Sequence, residues 1–322
     1  MKGVPIKKQT IATLATVAVI AGAVGIHSVI ASDNVPTVYF TKDISPAGLV
    51  KAYEALNWTP KGKVGIKMST GESAKTNYLR PELIKELVTK LDGTIVECNT
   101  AYGGNRSDSA SHWAAIKERG FLDIAPVDIM DEEGSMTLPV KDGNRLTENY
   151  VGTHFANYPS YVVLSHFKGH QMAGFGGALK NISIGFGSSM GKKWIHSGGT
   201  SKESMWGGEQ DAFLESMADA SKSVVEYVGR DNMVYINVLN RISIDCDCNG
   251  NPAEPDIHDI GILVSTDPVA VDQAGIDMVS VADGNQKLME RIANRNGLHT
   301  LEAAEKIGVG SRKYKLVNLD EE

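Results

Sequence analysis

The chain has 322 residues, of which 42% are hydrophobic and 22% charged, and its formal net charge at pH 7 is −7. This composition excludes an intrinsically disordered chain, and the length suits two globular domains better than one. An acidic chain without a basic stripe also argues against nucleic acid as a partner.

The first 31 residues have the pattern of an export signal. Lys2, Lys7 and Lys8 form a basic start, an almost uncharged run follows over residues 9–31, and Ser32 comes next. This pattern is typical of a secretory signal peptide, or of an N-terminal anchor if it is not cleaved. We therefore expect an extracytoplasmic protein, either secreted, periplasmic or on the cell surface. It is tethered to the membrane through residues 9–31 if the signal is retained.

Strand-like and helix-like patterns alternate in the first half of the remaining chain. Strands are expected at 38–40, 63–68, 94–97 and 127–130, and helices at 46–57, 81–91 and 109–119. Apolar strands separated by helices of this length are typical of a mainly parallel sheet that is covered on both faces. We interpret the more polar stretch at 131–149 as a domain boundary.

The alternation resumes in the second half. Strands are expected at 161–164, 233–239 and 260–264, and helices at 211–228, 268–281, 285–296 and 300–307. The predicted fold class is therefore α/β, with two domains at 33–145 and 146–322. A cleft between the domains would hold a ligand.

The most unusual segment runs from 165 to 199 and combines glycine, lysine and histidine. It contains nine glycines, four lysines and three of the chain's eight histidines. Glycine lets the backbone approach a ligand, while lysine and histidine bind carboxylate or phosphate groups, transfer protons or bind metals. A solvated basic loop is the alternative. We favour a functional segment, because the histidines follow a strand end, where α/β proteins place their active sites.

The three cysteines do not suggest a disulfide framework. Cys246 and Cys248 are separated only by Asp247, and a bridge between residues so close in sequence is uncommon. In an extended segment both sulfur atoms lie on one side and form part of a soft-metal site, which Asp256 or His258 could complete. A buried pair of thiols and a redox-active pair remain the alternatives.

Some further residues lie near predicted strand ends and helix starts. Lys67 and Glu97 end neighbouring strands and could line the cleft, whereas Cys98 is expected to pack in the core. Asp267 and Asp272 are expected to cap and face a helix.

Four motifs stand out along the chain. They are H-F-K-G-H-Q-M-A-G-F-G-G-A-L-K-N-I-S-I-G at 166–185, C-D-C at 246–248, D-I-G-I-L-V-S-T-D-P-V-A-V-D-Q-A at 259–274 and the terminal G-V-G at 308–310. In these motifs the chain resembles a bacterial and archaeal family called domain of unknown function 362. Some members of that family carry an inserted ferredoxin-like domain with two iron–sulfur clusters after the position of His196. This chain has no cysteine there, so we expect no iron–sulfur cluster domain.

The same segment is distantly similar to lactate racemase of the nickel-pincer type. In that enzyme a histidine precedes a G-G-x-K motif, the lysine bonds the cofactor covalently, and a later histidine ligates nickel. The resemblance implies these roles for His170, Lys180 and His196. Gly176 and Gly177 stand where the motif has its glycines, although one more residue separates them from the lysine.

Two other racemase motifs are only partly kept. Arg80 belongs to an Arg-Pro pair whose preceding acidic residue is missing, and Asn105, followed by Arg106, stands where the family has a second catalytic histidine. Asn105 cannot accept a proton at neutral pH, so the resemblance does not support lactate racemisation.

These observations lead to one principal hypothesis. We expect a small-molecule cleft that includes Arg80, Asn105, Arg106, His166, Lys168, His170, Gly176, Gly177, Lys180 and His196. The protein would be a cofactor- or metal-dependent enzyme acting on a small carboxylate- or phosphate-bearing substrate. Lys180 would anchor the cofactor or anion, and His170 would act as the acid or base.

The cofactor is not identified by these patterns. A metal ion (nickel, zinc or iron) would be held by His196 or by Cys246 and Cys248. The alternative function is that of a non-catalytic metal- or cofactor-binding accessory protein of redox metabolism, centred on the C-D-C motif.

Overall fold

An eight-stranded sheet forms the centre of the protein in a computed structural model that describes residues 35–321. In chain order the strands are β1 (Thr37–Thr41), β2 (Val64–Lys67), β3 (Thr94–Glu97), β4 (Val127–Ile129), β5 (Ser135–Pro139), β6 (Glu148–Gly152), β7 (Ser160–His166), β8 (Lys168–His170), β9 (Gly174–Gly176), β10 (Met233–Leu239), β11 (Gly261–Ser265) and β12 (Lys315–Asn318). The helices are α1 (Pro46–Glu54), α2 (Pro81–Lys90), α3 (Ser109–Glu118), α4 (Ala178–Lys180), α5 (Ser189–His196), α6 (Gln210–Val228), α7 (Pro268–Ser280), α8 (Gln286–Asn294) and α9 (His299–Lys306).

The order of the strands in the sheet is β12-β1-β11-β10-β7-β2-β3-β4. Strand β11 runs antiparallel to both of its neighbours, whereas the other pairings in this sheet are parallel. The chain continues from β2 to β3 and β4 on one side, and the later strands β7 and β10 lie on the other side. Such a reversal leaves a crevice at the carboxyl ends of the strands, which is where ligands bind in open α/β sheets.

Helix starts follow the capping signals that the sequence contains. The Ser45 side chain accepts a hydrogen bond from the backbone N–H of Gly48 at 3.0 Å, and a Pro at the next position begins α1. Asp108 accepts from Ser111 N–H at 3.0 Å at the start of α3. Such bonds satisfy backbone donors that have no partner within the helix.

Both faces of the sheet are covered by helices. In β7, Tyr161 and Val163 belong to one apolar cluster, which includes residues of α6 and α7, and Val162 and Leu164 belong to another, which includes residues of α1 and α2. All residues of β7 are buried. A parallel strand buried on both faces has this continuous apolar pattern.

The expected division into domains at 33–145 and 146–322 does not describe the sheet. Strands β2, β3 and β4 from the first part and β7, β10 and β11 from the second part share one sheet, because β2 pairs directly with β7. Residues from Val35 onward form one compact unit. The polar stretch at 131–149 is not a linker, since β5 within it pairs with β6 as an antiparallel hairpin outside the main sheet.

The predicted signal segment, residues 1–31, lies outside the described residues. Within residues 35–321, no helix is long and apolar enough to cross a membrane.

Candidate functional site

A cavity of about 110 Å³ lies at the carboxyl ends of β2, β3 and β7, next to the reversal in strand order. One water molecule needs about 10–15 Å³ of such space, so the cavity has room for a small molecule. Lys67, Glu97 and His166, which are the last residues of the three strands, line it. Other charged or sulfur-bearing residues in the lining are Cys98, Arg106, Lys168, His170, Lys180, Lys192, His196, Met205, Cys246, Asp247 and Cys248.

The glycine-rich segment is folded and not a loop. It forms the β8–β9 hairpin, the short helix α4, a turn of π-helix over Asn181–Gly185 and then α5. A Cβ atom added at Gly169 would lie 2.2 Å from the backbone oxygen of Ile244, and one at Gly177 would lie 2.3 Å from Oδ1 of Asp272. Glycine at these two positions therefore permits close packing of the segment against the rest of the chain.

A buried carboxylate on α7 holds the start of α4 in place. Asp272 accepts hydrogen bonds from the backbone N–H groups of Ala178 at 2.6 Å and Leu179 at 2.9 Å, and from Nδ2 of Asn237 at 2.7 Å. Burial raises the pKa of Asp272 to about 6. These contacts fix the helical turn that carries Lys180 into the cavity.

Lys180 differs from its neighbour Lys168 in how its charge is compensated. Lys168 Nζ pairs with the carboxylate of Asp247 at 2.6 Å, whereas Nζ of Lys180 makes no hydrogen bond or ion pair within residues 35–321. Burial is the main cause that lowers the pKa of Lys180 to about 7, and the positive charge of Lys168 lowers it further. A substantial fraction of this amine is therefore neutral at pH 7.

Two buried histidines in the cavity lining differ in the nitrogen that is left free: one offers a hydrogen-bond donor and the other a lone pair. Nδ1 of His170 accepts from the backbone N–H groups of Met172 at 3.2 Å and Ala173 at 2.9 Å, so the ring proton of the neutral form is on Nε2. Nδ1 of His196 donates to the backbone oxygen of Lys192 at 2.7 Å, so its Nε2 keeps a lone pair. Burial lowers the pKa of His196 to about 4 and that of His170 well below its ordinary value, so both rings are neutral at pH 7.

On the other side of the cavity the charges are paired. Glu97 accepts from Nη1 of Arg106 at 2.7 Å, from Nε2 of His112 at 2.8 Å and from the hydroxyl of Thr70 at 2.6 Å. Burial favours the protonated form of Glu97, but Arg106 and His112 outweigh it and hold the pKa of Glu97 well below its usual range. Arg106 also binds Oε2 of Glu72 at 3.2 Å, so its guanidinium is held between two carboxylates.

Asp247 holds two of the predicted ligand-binding residues. Its carboxylate binds Lys168 Nζ and also Nδ1 of His166 at 3.0 Å, while Nε2 of His166 donates to the backbone oxygen of Asn240 at 2.7 Å. Burial opposes ionisation of Asp247, but His166 and Lys168 hold its pKa well below the usual range. Both nitrogens of His166 are therefore engaged, and this residue positions Asp247.

The cysteine pair differs from its predicted form. Cys246 and Cys248 form a disulfide, with their Cα atoms 5.2 Å apart. Metals bind cysteine as the thiolate, so the oxidised pair is not the predicted metal site. A ring nitrogen of His170, and not Asp256 or His258, lies within 4.8 Å of both sulfur atoms. The expected packing of Cys98 agrees with its position, since it is a free, buried residue of the core at the edge of the cavity.

Four residues that the sequence placed at the site lie elsewhere. Arg80 donates to the backbone oxygen of Thr76 at 2.9 Å and stacks on the ring of Tyr78, outside the cavity. Asn105 is exposed and bonds the backbone oxygen of Glu72 at 3.0 Å. Asp256 and His258 lie in a separate shallow groove, beside Arg241. Arg106, next to Asn105, does line the cavity because its side chain turns inward to Glu97.

Sequence reasoning missed the part that Asp272 takes in the site, and it did not separate Lys192 from Lys193. Asp272 was expected to face its own helix, α7. It instead accepts hydrogen bonds from the start of α4, more than ninety positions away in the sequence. Lys192 lines the cavity, whereas the adjacent Lys193 does not. The helical spacing of α5 is the signal that separates these two lysines, because neighbouring residues on a helix point in different directions.

The comparisons with solved structures give only distant similarity. One is the lactate racemase apoprotein from Thermoanaerobacterium thermosaccharolyticum, with 14% identity, a TM-score of 0.43, and coverage of 75% of this chain and 57% of that chain. Another is a protein from Thermotoga maritima solved by the Northeast Structural Genomics Consortium, with 12% identity, a TM-score of 0.40, and coverage of 81% and 58%. This chain spans less than two thirds of the length of either protein.

No protein with a curated description matches this chain in sequence. A family model does match, over residues 64–277, and its description is Domain of unknown function (DUF362). The matched residues are more than half of the chain and include the glycine-rich segment and the C-D-C motif. The chain therefore belongs to the DUF362 family, as its motifs predicted.

Proposed function

We propose that this protein is an enzyme that binds a small carboxylate- or phosphate-bearing substrate in the cavity, and that Lys180 meets the anionic group or a cofactor. The observation that carries the proposal is the unpaired amine of Lys180, held among other cations where the strand order reverses. Perturbed, unpaired titratable groups in a cleft are typical of functional sites.

The charge of the lining supports an anionic ligand. Five cationic side chains (Lys67, Arg106, Lys168, Lys180 and Lys192) face two carboxylates in the cavity wall. An anion that enters relieves the repulsion among the cations, and this gain is large where water is largely displaced. The site therefore favours carboxylate or phosphate over a neutral or cationic ligand.

The lowered pKa of Lys180 supports a second, chemical role. A neutral amine is a nucleophile toward a carbonyl group, and an ammonium is not. At neutral pH Lys180 exists in both forms, so it suits covalent attachment of a cofactor or substrate as well as electrostatic binding. The experiment below separates these two uses.

The two histidines complement each other around this amine. Neutral His170 offers an N–H that donates to an oxygen of the ligand, and with Nδ1 engaged by the backbone it suits the role of hydrogen-bond donor better than that of base. His196 offers a lone pair while its other nitrogen is bonded to a backbone oxygen, which is the usual arrangement of a metal-binding histidine. No group of three metal-ligating side chains among residues 35–321 includes His196, so the other ligands of a metal ion held there would come from the substrate or a cofactor. Such an ion would polarise an oxygen atom of the substrate.

The proposal does not extend to lactate racemisation. Proton or hydride exchange on both faces of a substrate needs a suitable group on each face, and Asn105 stands in the position of the second histidine. Asn105 is exposed outside the cavity, and His112, seven residues later, is buried against Glu97 and Asn99.

Calorimetric titration of the purified chain with inorganic phosphate and with lactate tests the anion site. Lys180→Met should weaken binding of the preferred anion roughly 10- to 100-fold, the usual effect of removing one buried charge partner. Lys193→Met, which removes a lysine outside the cavity, is the matched control and should change binding little. Equal effects of the two variants would refute the anion site.

Lys180→Arg separates binding from covalent chemistry. Arginine keeps the charge but does not form a covalent bond with a carbonyl group. If Lys180 carries a cofactor, protein from the native host has added mass on this residue, and the variant loses both the mass and the activity. An unmodified native protein together with normal anion binding by Lys180→Arg would exclude the covalent role.

We also propose that the mature chain acts outside the cytoplasm. The basic and apolar pattern of residues 1–31 supports this proposal.

A further inference from the structure

We infer that the Cys246–Cys248 disulfide is a redox-active pair that exchanges two electrons with a dithiol at the cavity wall. Both cysteines line the cavity, and Cys248 is partly exposed while Cys246 is buried. A disulfide that closes a small ring adds little stability, because the entropy that a disulfide removes from the unfolded chain grows with the length of the loop that it closes. A bond that closes a ring of three residues at an accessible wall therefore suits exchange better than it suits stabilisation.

The two sulfur atoms have different surroundings, and this sets the direction of exchange. The backbone N–H of Cys248 donates to Sγ of Cys246 at 3.2 Å. A hydrogen bond of this kind stabilises a thiolate, so Cys246 is the better leaving group. The partly exposed Cys248 is the sulfur that an incoming thiol reaches.

The exchange is balanced with a dithiol as the reductant. A thiolate of the dithiol attacks Sγ of Cys248, the Cys246–Cys248 bond breaks, and Cys246 leaves as a thiolate. The second thiol of the reductant then attacks its own mixed-disulfide sulfur and releases Cys248. The dithiol becomes a disulfide, and its two protons end on Cys246 and Cys248.

A structural metal site is the competing use of the same atoms. The reduced pair and His170 would offer two thiolates and one imidazole. In the described conformation, however, Nδ1 of His170 already accepts two backbone hydrogen bonds and its Nε2 carries a proton. The ring would have to give up these bonds, or lose that proton, before it could bind a metal. The experiment must therefore distinguish metal binding by the reduced pair from thiol–disulfide exchange.

Alkylation of the folded chain tests the inference without reference to any ligand of the cavity. The full chain is treated with dithiothreitol in the absence of denaturant, alkylated with iodoacetamide and mapped by peptide mass spectrometry. We expect labels on Cys246 and Cys248 and none on Cys98, whose burial makes it the internal control. In a parallel sample that is reduced but not alkylated, removal of the reductant and addition of oxidised glutathione should restore the disulfide, and iodoacetamide added afterwards should no longer label Cys246 and Cys248.

Two single variants test the direction of exchange. Cys246→Ser leaves the accessible thiol of Cys248, and it should react with an aromatic disulfide about tenfold faster than Cys248→Ser, which leaves the buried thiol. The inference is overturned if the pair resists reduction until the protein unfolds. It is also overturned if the two variants react equally, or if the reduced protein retains one equivalent of zinc that blocks alkylation.

Discussion

The two walls of the cavity differ in how their charges are compensated. One wall, the paired wall, contains Arg106, whose guanidinium lies between the carboxylates of Glu72 and Glu97. Each of these charges therefore has an oppositely charged side chain as its partner. In the open wall, Lys180 and His196 each direct a nitrogen without a protein partner among the described residues toward the cavity. The contrast fits a paired wall that supports the fold and an open wall that, in the proposed function, meets the ligand.

This difference follows from the cost of burying charge. A buried ion is tolerated when hydrogen bonds and an opposite charge replace its water, as for Glu97. An amine in a poorly solvated site without such a partner shifts toward its neutral form instead, and the pKa of the partly exposed Lys180 is lowered for this reason. A protein that keeps such a group in a cleft usually uses it.

The largest expected effect is on the paired wall. Glu97→Gln keeps the shape of the side chain but leaves Arg106 and His112 without their carboxylate. We expect a loss of about 3–5 kcal/mol in the free energy of unfolding, as for other broken buried pairs, measured by urea denaturation. Glu54→Gln breaks an exposed ion pair with Lys90 and should cost less than about 1 kcal/mol. Similar losses in both variants would contradict the contrast between paired and exposed charges.

The contribution of Glu97 to the free energy of unfolding should also depend on pH. Its pKa is lowered in the folded protein, so its ionised form stabilises the fold above the pKa of the unfolded chain. This contribution is lost as the pH falls through the folded pKa, and the gap between wild type and Glu97→Gln should narrow at acid pH. A gap that is constant between pH 7 and pH 3 would contradict this account of the pair.

A smaller loss of stability is expected where the open wall is attached to α7. Gly177→Ala places a Cβ atom 2.3 Å from Oδ1 of Asp272 and should cost about 1–3 kcal/mol, the usual effect of overpacking. Gly103→Ala is the control, because no atom lies within 4 Å of its added Cβ. Urea denaturation measures both variants, and equal stability of the two would show that the packing of α4 is not tight.

The open wall should also give binding a pH dependence. Lys180 is charged below its pKa of about 7, so the affinity for lactate should fall about tenfold between pH 6 and pH 8. Lactate is a suitable probe because its own charge does not change in this range. Calorimetry with Lys180→Arg, which stays charged, should remove most of this fall and leave only a smaller loss of about twofold from Lys67, because burial lowers the pKa of that cavity-lining lysine to about 8. A fall of about tenfold in that variant would assign the dependence to another group.

The last of these predictions concerns the N-terminal segment and is independent of the contrast between the two walls of the cavity. The pattern of residues 1–31 predicts a mature protein that begins near Ser32. N-terminal sequencing of protein from the native host is the measurement. Recovery of intact Met1 from a soluble cytoplasmic fraction would refute export.

Local signals in the sequence were enough to predict most elements of the fold. Residues 94–97 and 233–239 are strands as expected, because a short apolar run between turns is typical of a buried strand. The same signals do not encode which strands pair. The apolar run near 260–264 predicted a buried strand, but its antiparallel direction and the single sheet depend on contacts between distant parts of the chain.

The lining of the cavity was predictable where one continuous segment supplies it. His170, Lys180 and His196 come from the glycine-rich segment and do line the cavity. Arg80 and Asn105 were assigned from short motifs far away in sequence, and motif spacing alone does not determine whether a side chain faces inward. The support that Asp272 gives to α4 has no local signal for the same reason.

The most direct test of the central claim is the reactivity of Lys180 as a function of pH. The full chain is treated briefly with an amine-modifying reagent at a series of pH values, and labelling of the Lys180 peptide is followed by mass spectrometry. The account predicts a labelling midpoint at pH about 7, because the poorly solvated amine has no protein partner among the described residues. A midpoint near the ordinary lysine value of about 10.4 would contradict it, since such a lysine would be solvated or paired.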